Sequence, residues 1–103
     1  MPREPRDHRM PLQAAAALTR RFREHSGKGA GLGGMFIKQA LMELLNQPGC
    51  EGVRIYYGRE EGGQSALVLV GVNSADADMT DGTILEKAFP CPPICGTASP
   101  LNS

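Results

Sequence analysis

The sequence predicts an α+β fold: two N-terminal helices packed on a small antiparallel sheet of two or three strands, followed by an irregular Pro/Cys tail. Three observations predict it. Apolar residues recur at helical spacing before residue 48, the periodicity shortens to two after residue 52, and prolines and cysteines concentrate from residue 90 onward.

The first ten residues mix Pro, Arg, Asp and His without periodicity and are expected to form a flexible arm. Pro11 suits the first position of a helix. PLQAAAALTRRFREH then places Leu12, Ala15, Ala16, Thr19 and Phe22 on one face, with arginines at the end that complements the helix dipole. SGKGAGLGG breaks this helix. In MFIKQALMELLNQ, residues Ile37, Ala40, Leu41, Leu44 and Leu45 share a face, and Pro48-Gly49 ends the second helix.

VRIYYG alternates Val53, Ile55 and Tyr57 against Arg54 and Tyr56, the pattern of a half-buried strand. REEGGQ has the length of a hairpin turn, so the next strand must pair antiparallel. That strand, SALVLVGV, is apolar on both faces and is expected at the centre of the sheet or under a cover. NSADADMTDG reads as a polar loop, and TILEKAF as a third strand that Pro90 ends. The expected organisation is an arm over 1–10, a single domain over 11–89 and a tail over 90–103.

The 103 residues suit one domain, and 41% hydrophobic with 21% charged residues matches folded rather than disordered chains. Without Trp, and with two Tyr and three Phe, the sequence offers few rings for a carbohydrate or base-stacking surface. Net charge is zero but uneven: residues 1–28 carry seven Lys/Arg against three Asp/Glu, and the remainder four against eight. Opposite ends that attract each other, or a neighbouring copy, account for this without nucleic acid. No apolar run approaches the roughly 20 residues that span a bilayer, and the cytoplasm is the expected compartment.

Three cysteines, an odd number, do not form a closed disulfide framework. Pro90-Cys91-Pro92-Pro93-Ile94-Cys95-Gly96 is the most unusual segment. Extended as polyproline II at ~3.1 Å per residue, it would hold the two cysteine Cα atoms about 12 Å apart, beyond the ~7 Å limit of a disulfide. Either the segment folds back, through a turn at Ile94 or a cis proline bond, or the thiols act separately. They could serve as small apolar plugs, as redox groups, or, with Cys50, as thiolate ligands of zinc or copper. A structural zinc site needs four ligands, and beyond Cys91, Cys95 and Cys50 only His8 and His25 remain to supply one.

Two further motifs fail on context. Residues 29–34 satisfy G-x-G-x-x-G, yet a helix rather than a strand precedes them, against the dinucleotide fingerprint. Asp76, Asp78, Asp81, Gly82 and Glu86 approach a calcium loop out of register, which leaves an acidic solvated loop. A nucleophile and base pair would need His25 brought to Cys91 or Cys95, so a non-enzymatic protein is expected.

The runs GCEGVRIYYG, SALVLVGVNSADADM and FPCPPICGTASPL together resemble a small uncharacterised bacterial protein family whose members end in a Cys-Pro-Pro-x-Cys tail. That resemblance implies no activity, cofactor or catalytic residue. The functional expectation is a small interaction or accessory protein, self-associating as a homo-oligomer or binding a protein partner, with a docking tail. The alternatives are a metal- or redox-handling protein using Cys91 and Cys95, and a modified-peptide precursor.

Overall fold

The computed structural model describes residues 4–27 and 30–102. Lys28 and Gly29, the latter the first glycine of the G-x-G-x-x-G run, lie outside the described residues. The chain is mixed α and β in the order α1 (Leu12–His25), β1 (Gly33–Met35), α2 (Lys38–Leu45), β2 (Gly52–Arg59), β3 (Ser65–Val72), β4 (Ile84–Leu85) and β5 (Phe89–Cys91). By its contacts it forms two compact units, one built on Met35–Ala88 and the other on Pro5–Gly34 with Phe89–Ser103. No helix among the described residues is long and apolar enough to cross a membrane.

The larger unit holds a three-stranded antiparallel sheet in the order β2-β3-β4. β3, apolar on both faces, is the central strand, and its second half from Leu69 to Val72 is buried. β2 and β3 pair over their full length, from Gly52 opposite Val72 to Arg59 opposite Ser65. Gly63, at φ 96°, closes the hairpin in a left-handed conformation that suits glycine, and its N–H bonds Glu60 O at 2.9 Å. α2 contacts all three strands. It buries Leu44 completely, and the core of this unit is Leu44, Leu69, Val70 and Val72. The turn after α2 passes through Gly49 at φ 84°, which returns the chain to β2.

The smaller unit contains α1, which begins after Pro11 and buries Ala16, and the strand pair β1-β5. Leu32 N–H donates to Cys91 O at 2.7 Å beside that pair. The tail is therefore more ordered than its composition suggests. Its first residues are β5, and Asn102 ties the rest together, its Nδ2 donating to Cys95 O and Thr97 O while its Oδ1 accepts from Ser99 N–H. Arg23 of α1 donates to Leu101 O at 2.8 Å.

The third strand also differs from expectation. TILEKAF divides at Lys87, whose φ of 63° interrupts the extended chain, so that Ile84–Leu85 joins β3 while Phe89–Cys91 joins β1.

Candidate functional site

β2 presents two chemically different faces. Arg54 and Tyr56 point to one, and both meet the loop that follows β3. That loop is shaped by Asn73, whose Oδ1 accepts from Ala75 N–H and Ala77 N–H. Asp76 adopts φ 63°, a left-handed conformation aspartate tolerates better than most residues. The result is a clasp: Arg54 Nη2 lies 2.8 Å from Asp76 Oδ1, Arg54 Nη1 lies 2.6 Å from Asp78 Oδ1, and Tyr56 Oη donates to Asp78 Oδ2 at 2.5 Å.

The electrostatics follow from the contacts. The Tyr56 hydroxyl, and then Arg54, hold the Asp78 carboxyl below its usual range against an opposing effect of burial. Asp78 and then Asp76 raise Arg54, and the same Asp78 hydrogen bond raises Tyr56 above the usual phenol value. Both carboxylates already hold donors, so this is a fastener between strand and loop. Of the acidic residues the sequence offers as a calcium-like loop, the clasp takes Asp76 and Asp78 and leaves out Asp81 and Glu86.

The opposite face of β2 is formed by Val53, Ile55 and Tyr57, and here the structure corrects the expectation of a half-buried apolar face. Val53 is 38%, Ile55 54% and Tyr57 92% exposed. Their partners on β3 are Gly71, Leu69 and Leu67. The segment just after α2 lies over the Gly71 end, where a Cβ would sit 3.0 Å from Gln47 Nε2 and 3.1 Å from Cys50 Sγ. Leu69 is thus covered while its neighbour Ile55 is not. Arg54 is half-buried, its charge compensated by two carboxylates that the alternation of apolar residues does not reveal.

β2 is also an edge strand. In antiparallel sheets alternate residues turn their N–H and C=O to one neighbour or the other. Gly71 O accepts from Met79 N–H and Asn73 N–H donates to Ala77 O, so odd residues of β3 face the β4 side and even ones face β2. By register, Gly52, Arg54, Tyr56 and Gly58 are the β2 residues that bond β3. Val53, Ile55, Tyr57 and Arg59 direct their backbone groups away from β3, to the side where no strand of the described residues pairs with β2.

The cysteines expected to act together are divided. Cys91 and Cys95 are joined as a disulfide with a Cα–Cα separation of 4.6 Å. The segment folds back: the Cys91–Pro92 and Pro92–Pro93 bonds are both cis, and Ile94 N–H donates to Pro90 O at 2.8 Å. Cys50 is a free thiol in the other unit, its Sγ donating to Gly52 O at 3.2 Å. Joined in this way, the sulfurs of Cys91 and Cys95 are not thiolates; the pair would have to be reduced before Cys91, Cys95 and Cys50 could serve as zinc or copper ligands. Among the described residues no group of three or more His, Cys, Asp or Glu is placed to hold a metal ion. His25 Nδ1 lies 2.8 Å from Arg21 O.

In the smaller unit Leu18, Thr19, Phe22, Arg23, Leu32 and Leu101 line a shallow cavity of about 150 Å³. This is well below the roughly 300–1,000 Å³ of small-molecule sites. The β2 edge is therefore the better candidate for a functional surface. No family model matches the chain, and neither a curated protein nor a solved structure matches it.

Proposed function

We propose that this chain is a small non-enzymatic interaction or accessory protein that self-associates. One observation carries the reading: an eight-residue strand leaves Val53, Ile55 and Tyr57 exposed on one face, and among the described residues no strand pairs with it on the side away from β3. Proteins shield such edges with proline, lysine, bulges or covering elements, because an open apolar edge templates the addition of another strand. β2 contains no proline or lysine; its charged residues are Arg54, which is held by Asp76 and Asp78, and Arg59 at its end. Sedimentation equilibrium of the untagged chain tests the reading: a concentration-dependent rise above 11.0 kDa supports it, and a monomer at every concentration overturns it.

A second reading is favoured by the tail. A disulfide closed across Cys91 and Cys95 fits reversible thiol–disulfide chemistry better than resident metal, since metal binding would first require both sulfurs to be reduced. Titration of the pair against a glutathione redox buffer, followed by intact mass, tests it.

A further inference from the structure

The tail of the smaller unit consists of two separately tied pieces, and the disulfide is the cross-link between them. The first piece is β5, where Cys91 O accepts the Leu32 N–H at 2.7 Å. The second is a hook from Cys95 to Asn102. Asn102 knots it: its Nδ2 donates to Cys95 O at 3.1 Å and to Thr97 O at 3.2 Å, while its Oδ1 accepts from Ser99 N–H at 2.8 Å. From this hook Leu101 reaches α1. Its O accepts from Arg23 Nη1 at 2.8 Å, and it lines the shallow cavity together with Leu18, Phe22 and Leu32.

The hook is not held by a core. Ala16 is the one buried residue among the described residues of this unit, and Leu18, Phe22 and Leu101 are all half-exposed. A unit that buries so little apolar surface depends on cross-links to stay ordered. Between the two pieces lie Pro92, Pro93 and Ile94. Ile94 N–H donates to Pro90 O across the return, but the two prolines have no N–H to add, so the Cys91–Cys95 bond is the strongest closure there. Neither cysteine is fully buried, which leaves the bond within reach of an attacking thiolate.

We infer that the Cys91–Cys95 disulfide is a redox latch: closed, it holds the Cys95–Asn102 hook against α1, and opened by a low-molecular-weight thiol it releases Leu101 and uncovers Leu18 and Phe22. The exchange balances. One thiolate attacks a sulfur of the pair, forming a mixed disulfide and expelling the other sulfur as a thiolate; a second thiolate then resolves the mixed disulfide. Two thiols are oxidised to one disulfide, the pair takes up two electrons, and two protons pass to Cys91 and Cys95. The inference rests on the reversible thiol–disulfide reading given above and adds what that exchange controls.

Hydrogen exchange of the full chain in a Cys50→Ser background, read by mass spectrometry across glutathione buffers from oxidising to reducing, separates the two claims. Reduction is expected to speed exchange over residues 97–102 several-fold, to the rate of the Cys91→Ser/Cys95→Ser variant, while β3 stays unchanged. Reoxidation is expected to restore the protection. Leu101→Ala, which keeps the bond but removes the contact with α1, is expected to speed exchange over the same residues without reduction; no change there overturns the hold on α1. A pair that opens in these buffers while exchange over 97–102 stays constant overturns the latch and leaves reversible thiol–disulfide chemistry standing. A bond that stays closed across the whole series overturns both.

Discussion

Tyr56 and Asp78 are 22 residues apart in sequence and joined by a hydrogen bond of 2.5 Å, with Arg54 on the other carboxylate oxygen at 2.6 Å. The carboxyl is held below its ordinary 3.8, first by the Tyr56 hydroxyl and then by Arg54. A depressed folded value means that ionised Asp78 favours the folded chain above 3.8, and that this contribution fades as pH falls through the lower folded value. Asp78→Asn should therefore lower the melting temperature by a few degrees at neutral pH. The gap to the parent should close below pH 3.8, as thermal melts across an acid series would read; a pH-independent gap would assign the clasp no electrostatic role.

Leu44 is the side chain that the larger unit buries completely. Replacing it by Ala removes apolar contacts and leaves a cavity, at a cost of about 2–5 kcal/mol. In a domain of this size such a loss is a large part of total stability, so Leu44→Ala should show a sharply lower urea midpoint or a partly unfolded baseline. Leu45, on the same helix but exposed, should tolerate Ala with a change several-fold smaller.

Gly71 is required by a close approach rather than by its backbone angle. A Cβ there would meet Gln47 Nε2 at 3.0 Å, Cys50 Sγ at 3.1 Å and Met79 Sδ at 3.3 Å. Gln47 has little freedom to withdraw, because its Nε2 donates to Leu44 O and its Oε1 accepts from Thr83 N–H, both at 2.7 Å. Gly71→Ala is expected to destabilise by about 1–3 kcal/mol, the usual cost of overpacking. Combining it with Gln47→Ala should give a loss smaller than the sum of the two, since they share the crowded contact. Additive losses would show that Gln47 is not what the new methyl meets.

Much of this architecture was legible in the sequence, and the exceptions have identifiable physics. α1, β2 and β3 follow from local periodicity, and the central place of β3 follows from apolar residues on both faces. The β1-β5 pair was not legible: its strands are three residues each, one carries two glycines and the other a proline, and they lie more than fifty residues apart. Lys87 at positive φ likewise divides an apparently continuous strand through a backbone state that lysine composition does not announce. The tail's return was foreseen as one of two geometries, and spacing alone leaves the choice between them open. At β2 the alternation was visible, but not that both faces of the strand stay largely exposed. The partners of Arg54 are Asp76 and Asp78, over twenty residues away, and their role could be suspected only as compensation for an arginine inside a strand.

The cysteines give a direct chemical count. With Cys91 and Cys95 joined and Cys50 free, the protein purified without reductant should show one reactive thiol per chain in denaturant, and three after reduction. Cys91→Ser with Cys95→Ser should leave the urea midpoint of the larger unit nearly unchanged. The bond closes a short loop, for which chain entropy predicts little, and lies in the smaller unit. Proteolysis after Gly96 should accelerate if the bond orders the tail. Three thiols without reduction would instead return Cys91 and Cys95 to the pool of metal ligands.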